Sequence, residues 1–222
     1  MPATMPIVIT ISRQLGSGGS YIAKRVAQRF GYAYIDRQIL QQAAKELGVE
    51  EAVIEARDER IQSFWEHLLT AFALGPPGAT YTPPPRMISD AELIETERRL
   101  ICELATRGPS VVLGHGAFHL LRGKVRLINV FAHAPLEFRA ERVMSIYRAR
   151  SRDEAVRMIE SSDQERRRYI RTFTGLDWFD ARNYHLTIDT GVVDFATAEE
   201  LITSLVERLH PENARPWVNE PV

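Results

Sequence analysis

Residues 7–20 read Ile7-Val8-Ile9-Thr10-Ile11-Ser12-Arg13-Gln14-Leu15-Gly16-Ser17-Gly18-Gly19-Ser20, and Tyr21-Ile22-Ala23-Lys24-Arg25-Val26-Ala27 follow. A β-branched apolar run breaks into a Gly/Ser-rich turn and then into a helical pattern. Glycine lets a backbone bend through conformations closed to other residues and approach an anion closely. The unpaired N–H groups and positive dipole end of the next helix then face that anion. The order strand, glycine turn, helix therefore reads as a backbone cradle for phosphate, with an ordinary glycine-rich connection as the alternative.

In the pattern G-x-x-x-x-G-K-[ST] a lysine follows the last glycine and reaches the β- and γ-phosphates, and the next hydroxyl binds Mg²⁺. With the last glycine placed on Gly19, Ser20 takes the lysine position, Tyr21 the hydroxyl position and Gln14 that of the first glycine. The cradle is present and its cation is missing from the expected place. Arg13, emerging at the strand end, is the first candidate to replace it. Lys24, one helical turn beyond Ser20, is the second, although Lys24-Arg25 also reads as a solvated helix face. Ser17 and Ser20 offer hydroxyls to phosphate or Mg²⁺.

Further along, strands and helices alternate. Residues 7–11, 32–35, 110–113, 125–131 and 184–188 are expected strands. Helices are expected from about residue 20 to Phe30, closed by Gly31, and from Ser89-Asp90-Ala91-Glu92, a capping-box match, to Gly108-Pro109. Pro135 opens another helix, and Ser151-Arg152-Asp153-Glu154 is a second capping-box match opening a polar helix to about Arg171. Phe195, Ala198, Ile202, Leu205 and Leu209 stripe the last. Between Arg37 and the first capping box, Ile39, Leu40, Ala43, Ala44 and Leu47 mark a helical face. The Pro-rich stretch at 75–85 then interrupts regular structure as a loop or flap. Such alternation implies a parallel sheet, with ligands beyond the carboxyl ends of its strands. Ser12-Arg13, Asp36-Arg37, Gly114-His115, His133 and Asp189 fall at those ends.

Composition sets bounds on this reading. A chain of 222 residues with 45% hydrophobic residues fits one domain, at 1–210, and the tail 211–222 looks loosely held. A net charge of −1 argues against a general nucleic-acid binder. The single cysteine, Cys102, excludes an intrachain disulfide and suits a reducing compartment. No run has the length of a membrane span, and Met-Pro-Ala-Thr-Met-Pro lacks a basic region followed by an apolar one. A cytoplasmic protein acting on small molecules is the expectation, with no nucleic-acid or membrane partner and an oligomeric state the sequence leaves open.

The order of Gly-Ser-Gly-Gly after Ile-Ser-Arg, Tyr34-Ile35-Asp36-Arg37, Val111-Val112-Leu113-Gly114-His115-Gly116-Ala117, residues 134–143 and residues 174–184 resembles the cytidylate kinase-like family. This is a divergent branch of the P-loop nucleoside monophosphate kinases, and the resemblance runs from about Ile7 to about Leu209. It implies a three-layer α/β P-loop kinase fold with a five-stranded parallel sheet, a helical acceptor-binding region at about 37–107 and an Arg-rich lid at about 148–171. It also implies phosphoryl transfer from ATP, with Mg²⁺, to a small acceptor, nominally CMP or dCMP. Two positions depart from the family: Ser20 stands where it usually has arginine, and His115 where it tends to have the arginine of Gly-Arg.

On this reading Gly16, Ser17, Gly18, Gly19 and Ser20 hold the ATP phosphates, and Arg13, Arg142, Arg148 and Arg166 surround the moving phosphoryl group. Planar guanidiniums bind phosphate bidentately and stay charged. Arg142 and the Asp163-to-Arg166 spacing match the family pattern, whereas Arg148 rests on its place at the lid turn. The other reading of the Arg-rich segment is an exposed helix balanced by Glu154, Glu160, Asp163 and Glu165. Asp36, Arg37, His115 and Asp163 form the acceptor-binding set. Asp36 also suits a water on Mg²⁺, or the cap of the helix beginning near Gln38. Ser17, Ser20 and Asp36 are thus the Mg²⁺ candidates. No acidic residue ends the third strand. His115 and His119 have a helical metal spacing without the glutamate of His-Glu-x-x-His, and contact to a phosphate or base suits His115 better. Trp178 reads as core. A nucleotide-binding sensor, or a kinase for another small acceptor, remains open.

Overall fold

The computed structural model describes residues 5–37 and 90–209. Most of the expected helical acceptor-binding region, the Pro-rich loop at 75–85 and the tail at 211–222 lie outside them.

The quoted stretch becomes β1 (Ile7–Arg13) and α1 (Gly19–Phe30). β1 runs two residues further than the apolar pattern, because Ser12 and Arg13 still pair with Phe131 and Ala132 on a neighbouring strand. This puts Arg13 on a rigid strand end rather than in a loop. The chain continues as β2 (Ala33–Ile35), α2 (Asp90–Arg107), β3 (Ser110–Leu113), α3 (Ala117–Leu120), β4 (Arg126–His133), α4 (Leu136–Tyr147), α5 (Arg152–Thr174), β5 (Leu186–Asp189) and α6 (Phe195–Leu209). All five strands are parallel, in the order β2-β3-β1-β4-β5. β1 is central and covered on both faces, which is why its sequence is continuously apolar rather than alternating.

Alternate β1 residues build two cores. Ile7, Ile9 and Ile11 pack with Ile22, Ala23 and Val26 of α1 and Ala198, Ile202 and Val206 of α6. Val8 shares the opposite layer with Leu100, Ile101 and Ala105 of α2 and Ala117 of α3. Three layers result, with the carboxyl ends of the strands converging on one edge.

Several ends differ from the sequence pattern. Residues 181–183 form a 3₁₀ turn capped by Asp180, and the Tyr184 hydroxyl donates to the Trp178 carbonyl (2.8 Å), so β5 starts later than expected. Trp178 is buried among Phe118, Phe131, Ile170 and Tyr184, as its core reading requires. Gly114, His115 and Gly116 all have positive φ, a run that redirects the chain from β3 into the short α3. The Ser151 hydroxyl caps α5 by accepting from Glu154 N (3.2 Å), whereas the Glu154 carboxylate accepts from Arg150 N (2.6 Å) rather than closing the box on Ser151. α5 then runs unbroken for 23 residues and buries Ala155, Ile159, Ser162, Asp163, Arg166 and Ile170.

Candidate phosphate-binding site

The turn between β1 and α1 is shaped by donors to its carbonyls, three of them from outside it. Its carbonyls at 14, 15, 16 and 17 accept, in order, from the Ser17 hydroxyl (2.9 Å), Arg139 Nη1 (3.4 Å), Arg142 Nε (3.0 Å) and the Thr190 hydroxyl (2.7 Å). The N–H groups of Gly19 and Ser20, at the start of α1, have no acceptor within the helix and lie beside the space above the turn. That space is a cavity of about 290 Å³ lined by Gly16, Gly18, Gly19, Ser20, Arg13, Arg142 and Arg166, among others. Gly16 and Gly18 have φ of 84° and 79°, and a Cβ on either would lie 2.8 Å from the Arg139 carbonyl oxygen or 2.4 Å from the Phe195 ring. Backbone conformation and close packing both demand glycine at these two positions.

Gly18 is the left-handed N-cap, and Gly19 is the first helical residue. The closing glycine of the phosphate pattern is therefore Gly18, not Gly19, which moves the expected register back by one. Arg13 then falls at the first glycine, Gly19 at the lysine and Ser20 at the hydroxyl position.

Asp163 ties α5 to the turn. Its Oδ1 accepts from Leu15 N (3.1 Å), and its Oδ2 accepts from Gln14 Nε2 (3.1 Å) and Arg139 Nη1 (2.6 Å). Arg166 Nη1 lies 3.5 Å from Oδ1. With these partners Asp163 is an organiser of the cradle, where the sequence assigned it to the acceptor. The Arg142 guanidinium stacks 4.6 Å from the Phe195 ring centroid while it holds the Gly16 carbonyl. Arg148 is exposed, caps the end of α4 with φ of 56° and lies outside the cavity wall. Ser17 is wholly buried with its hydroxyl on Gln14, which turns it away from any metal, while Ser20 is exposed on the wall.

Electrostatics mark the same place. Burial pushes the Arg166 guanidinium down to about 9, and the nearby charge of Arg13 adds to the effect against the pull of Asp163. Burial likewise pushes Arg13 down to about 10, opposed by Tyr34, Tyr147 and Asp36. Two desolvated like charges beside one cavity are relieved by an anion between them. Arg13 and Arg166 also line a second, narrower cleft with Ser12, Gly114, His115, Gly116, Tyr169 and Trp178. There the Nδ1 atom of buried His115 meets Oε1 of buried Glu97, an arrangement that fixes the ring and its tautomer. Burial lowers the Arg37 guanidinium against the attraction of Glu97, and Arg37 lines neither cavity. Asp36 acts on Arg13 through its charge but lines neither cavity. Among the described residues no group of three or more His, Cys, Asp or Glu can hold a metal, and no helix is long and apolar enough to cross a membrane.

The sequence reading missed Arg139 and Glu97. Both sit in the inward register of amphipathic helices, where a charge needs a partner. That register was the available signal.

The sequence profile of the cytidylate kinase-like family matches residues 8–192. The chain is 26% identical over 206 residues to a cytidylate kinase of Methanocaldococcus jannaschii, covering 91% of this chain and 99% of the relative. It is 28% identical over 196 residues to a cytidylate kinase of Aeropyrum pernix, covering 86% and 94%. Its fold is similar to that of shikimate kinase from Bacteroides thetaiotaomicron, with a TM-score of 0.53 at 13% identity over 90% of this chain and 98% of that one.

Proposed function

Because the chain belongs to the cytidylate kinase-like family, we propose that it is a cytoplasmic enzyme transferring the γ-phosphoryl group of ATP to a nucleoside monophosphate, nominally CMP or dCMP. The observation that carries this is the shared wall. Arg13 and Arg166 border both the glycine-turn cavity and the His115 cleft. A donor held by the turn and an acceptor held near His115 would meet across the two guanidiniums, where phosphoryl transfer needs positive charge.

Mg²⁺ takes few protein oxygens and keeps waters and phosphate oxygens. The Ser20 hydroxyl on the cavity wall suits that modest demand, whereas Asp36 lies outside that wall. The ion would supply neutralisation of phosphate charge. Arg142 and Arg139 hold the turn in its binding shape, and α5 shields its far side from water.

The Glu97–His115 pair favours a second reading. A carboxylate-held imidazole can take a proton, which a hydroxyl acceptor requires and a phosphate acceptor does not. ADP release from MgATP, measured against nucleoside monophosphates and small hydroxyl metabolites, separates the two. Release stimulated by CMP or dCMP supports the first reading, and stimulation by a hydroxyl compound alone supports the second. ATP binding without release for any acceptor contradicts both and leaves a nucleotide sensor.

A further inference from the structure

We infer that Arg13 and Gly19 are the two ends of the phosphate loop with their residues exchanged, so that a guanidinium from the strand end replaces a lysine from the helix start. The inference deepens the proposed nucleotide site and rests on it for its ligand, a nucleoside triphosphate. In the pattern G-x-x-x-x-G-K-[ST], the first position has no side chain and the seventh carries the cation. Here the first is Arg13 and the seventh is Gly19, with Gly18 and Ser20 in their pattern places.

The reason is steric. A Cβ on Gly19 would lie 2.5 Å from the Arg13 Cβ and 3.1 Å from its Cγ. Side chains at the two positions compete for one space, so the loop accommodates one of them. Arg13 is fixed at its strand end by the pairing of β1 with β4, and its side chain crosses the space a residue-19 side chain would fill to reach the cavity wall. Gly19 is therefore needed for room, since its own φ lies outside the left-handed region. A cation at either end would reach the same phosphates, and the exchange keeps the charge while changing its carrier.

The test is a swap. Arg13→Gly, Gly19→Lys and the double variant are compared with the parent for MgATP affinity by calorimetry and for Tm without nucleotide. Arg13→Gly should weaken ATP binding about ten- to hundredfold, the worth of a charge-assisted hydrogen bond. Gly19→Lys alone should lower both Tm and affinity. The double variant should bind ATP at least about tenfold better than Arg13→Gly, for the same charge restored. A folded double variant that binds no better than Arg13→Gly overturns the exchange. The lysine must also pass the Ala132 Cβ, 3.2 Å from the position 19 Cβ, so a gentler cycle guards against misfolding. Gly19→Ala should lower Tm in the parent and much less in the Arg13→Gly background. Equal losses in both backgrounds overturn the steric claim. If the parent binds no ATP, the nucleotide reading and the exchange of cations fail with it, while this Tm cycle still decides the steric claim.

Discussion

Asp163 accepts from the turn through Leu15 N and Gln14 Nε2 while it faces the guanidiniums of Arg139 and Arg166. Removing a carboxylate from such a buried group leaves charges uncompensated, so Asp163→Ala should cost about 3–5 kcal/mol in urea unfolding. Asp163→Asn, which keeps an acceptor oxygen, should cost less. Arg13→Ala should lower turnover more than Lys24→Ala, because Lys24 is exposed and lies over the Tyr34 ring. Steady-state rates check the ordering, and equal small losses would remove Arg13 from the mechanism. Burial lowers Arg13 to about 10 and Arg166 to about 9, both above neutrality, so both keep their proton at pH 7. Attraction for phosphate is lost only as pH rises through those values. ATP affinity by calorimetry should therefore hold between neutral pH and about 8 and fall beyond about 9. At this scale the sequence showed Arg13, Arg142 and Arg166 but not what holds them. Arg139, Ser17 and Thr190 donate to backbone carbonyls of a turn whose path no local pattern specifies.

Among elements, the glycine turn and α5 carry opposite lessons. The turn was legible because Gly16 and Gly18 are imposed by local geometry, and Gly18→Val should abolish ATP binding while the helical circular dichroism signal persists. Unchanged affinity in that folded variant would disconnect the turn from nucleotide. The Arg-rich segment was legible as a helix but not as a docked one. Its apolar positions Ala155, Ile159 and Ile170 are separated by a polar stretch, yet Ser162, Asp163 and Arg166 complete the buried face. Their partners are on other elements. Helix α5 is thus a wall from Ala155 onward, and movement on nucleotide binding should be confined to the turn around Arg148 and the first turn of α5. Hydrogen exchange with a nonhydrolysable ATP analogue should add protection near 147–154 and little across 155–170, which is already protected. Strong added protection across 155–170 would restore a lid of the full expected length. The short α3 was not legible, since a non-glycine residue at positive φ, His115, has no sequence signature.

Over the whole molecule, the parallel sheet and the edge where its carboxyl ends meet followed from the alternation of apolar runs and helical stripes, whereas the order of strands did not. The net charge of −1 gave no hint of a cationic site, because Arg13, Arg139, Arg142 and Arg166 are gathered by topology from three elements distant in sequence. Phosphoryl transfer is the work proposed for them. γ-Labelled ATP with Mg²⁺ and CMP or dCMP, followed by phosphorus NMR, tests it most directly. The label should appear in the β-phosphate of the nucleoside diphosphate, with the rate lost in Gly18→Val. Label that stays in ATP, or passes only to inorganic phosphate at the same rate with and without every acceptor tried, would contradict it.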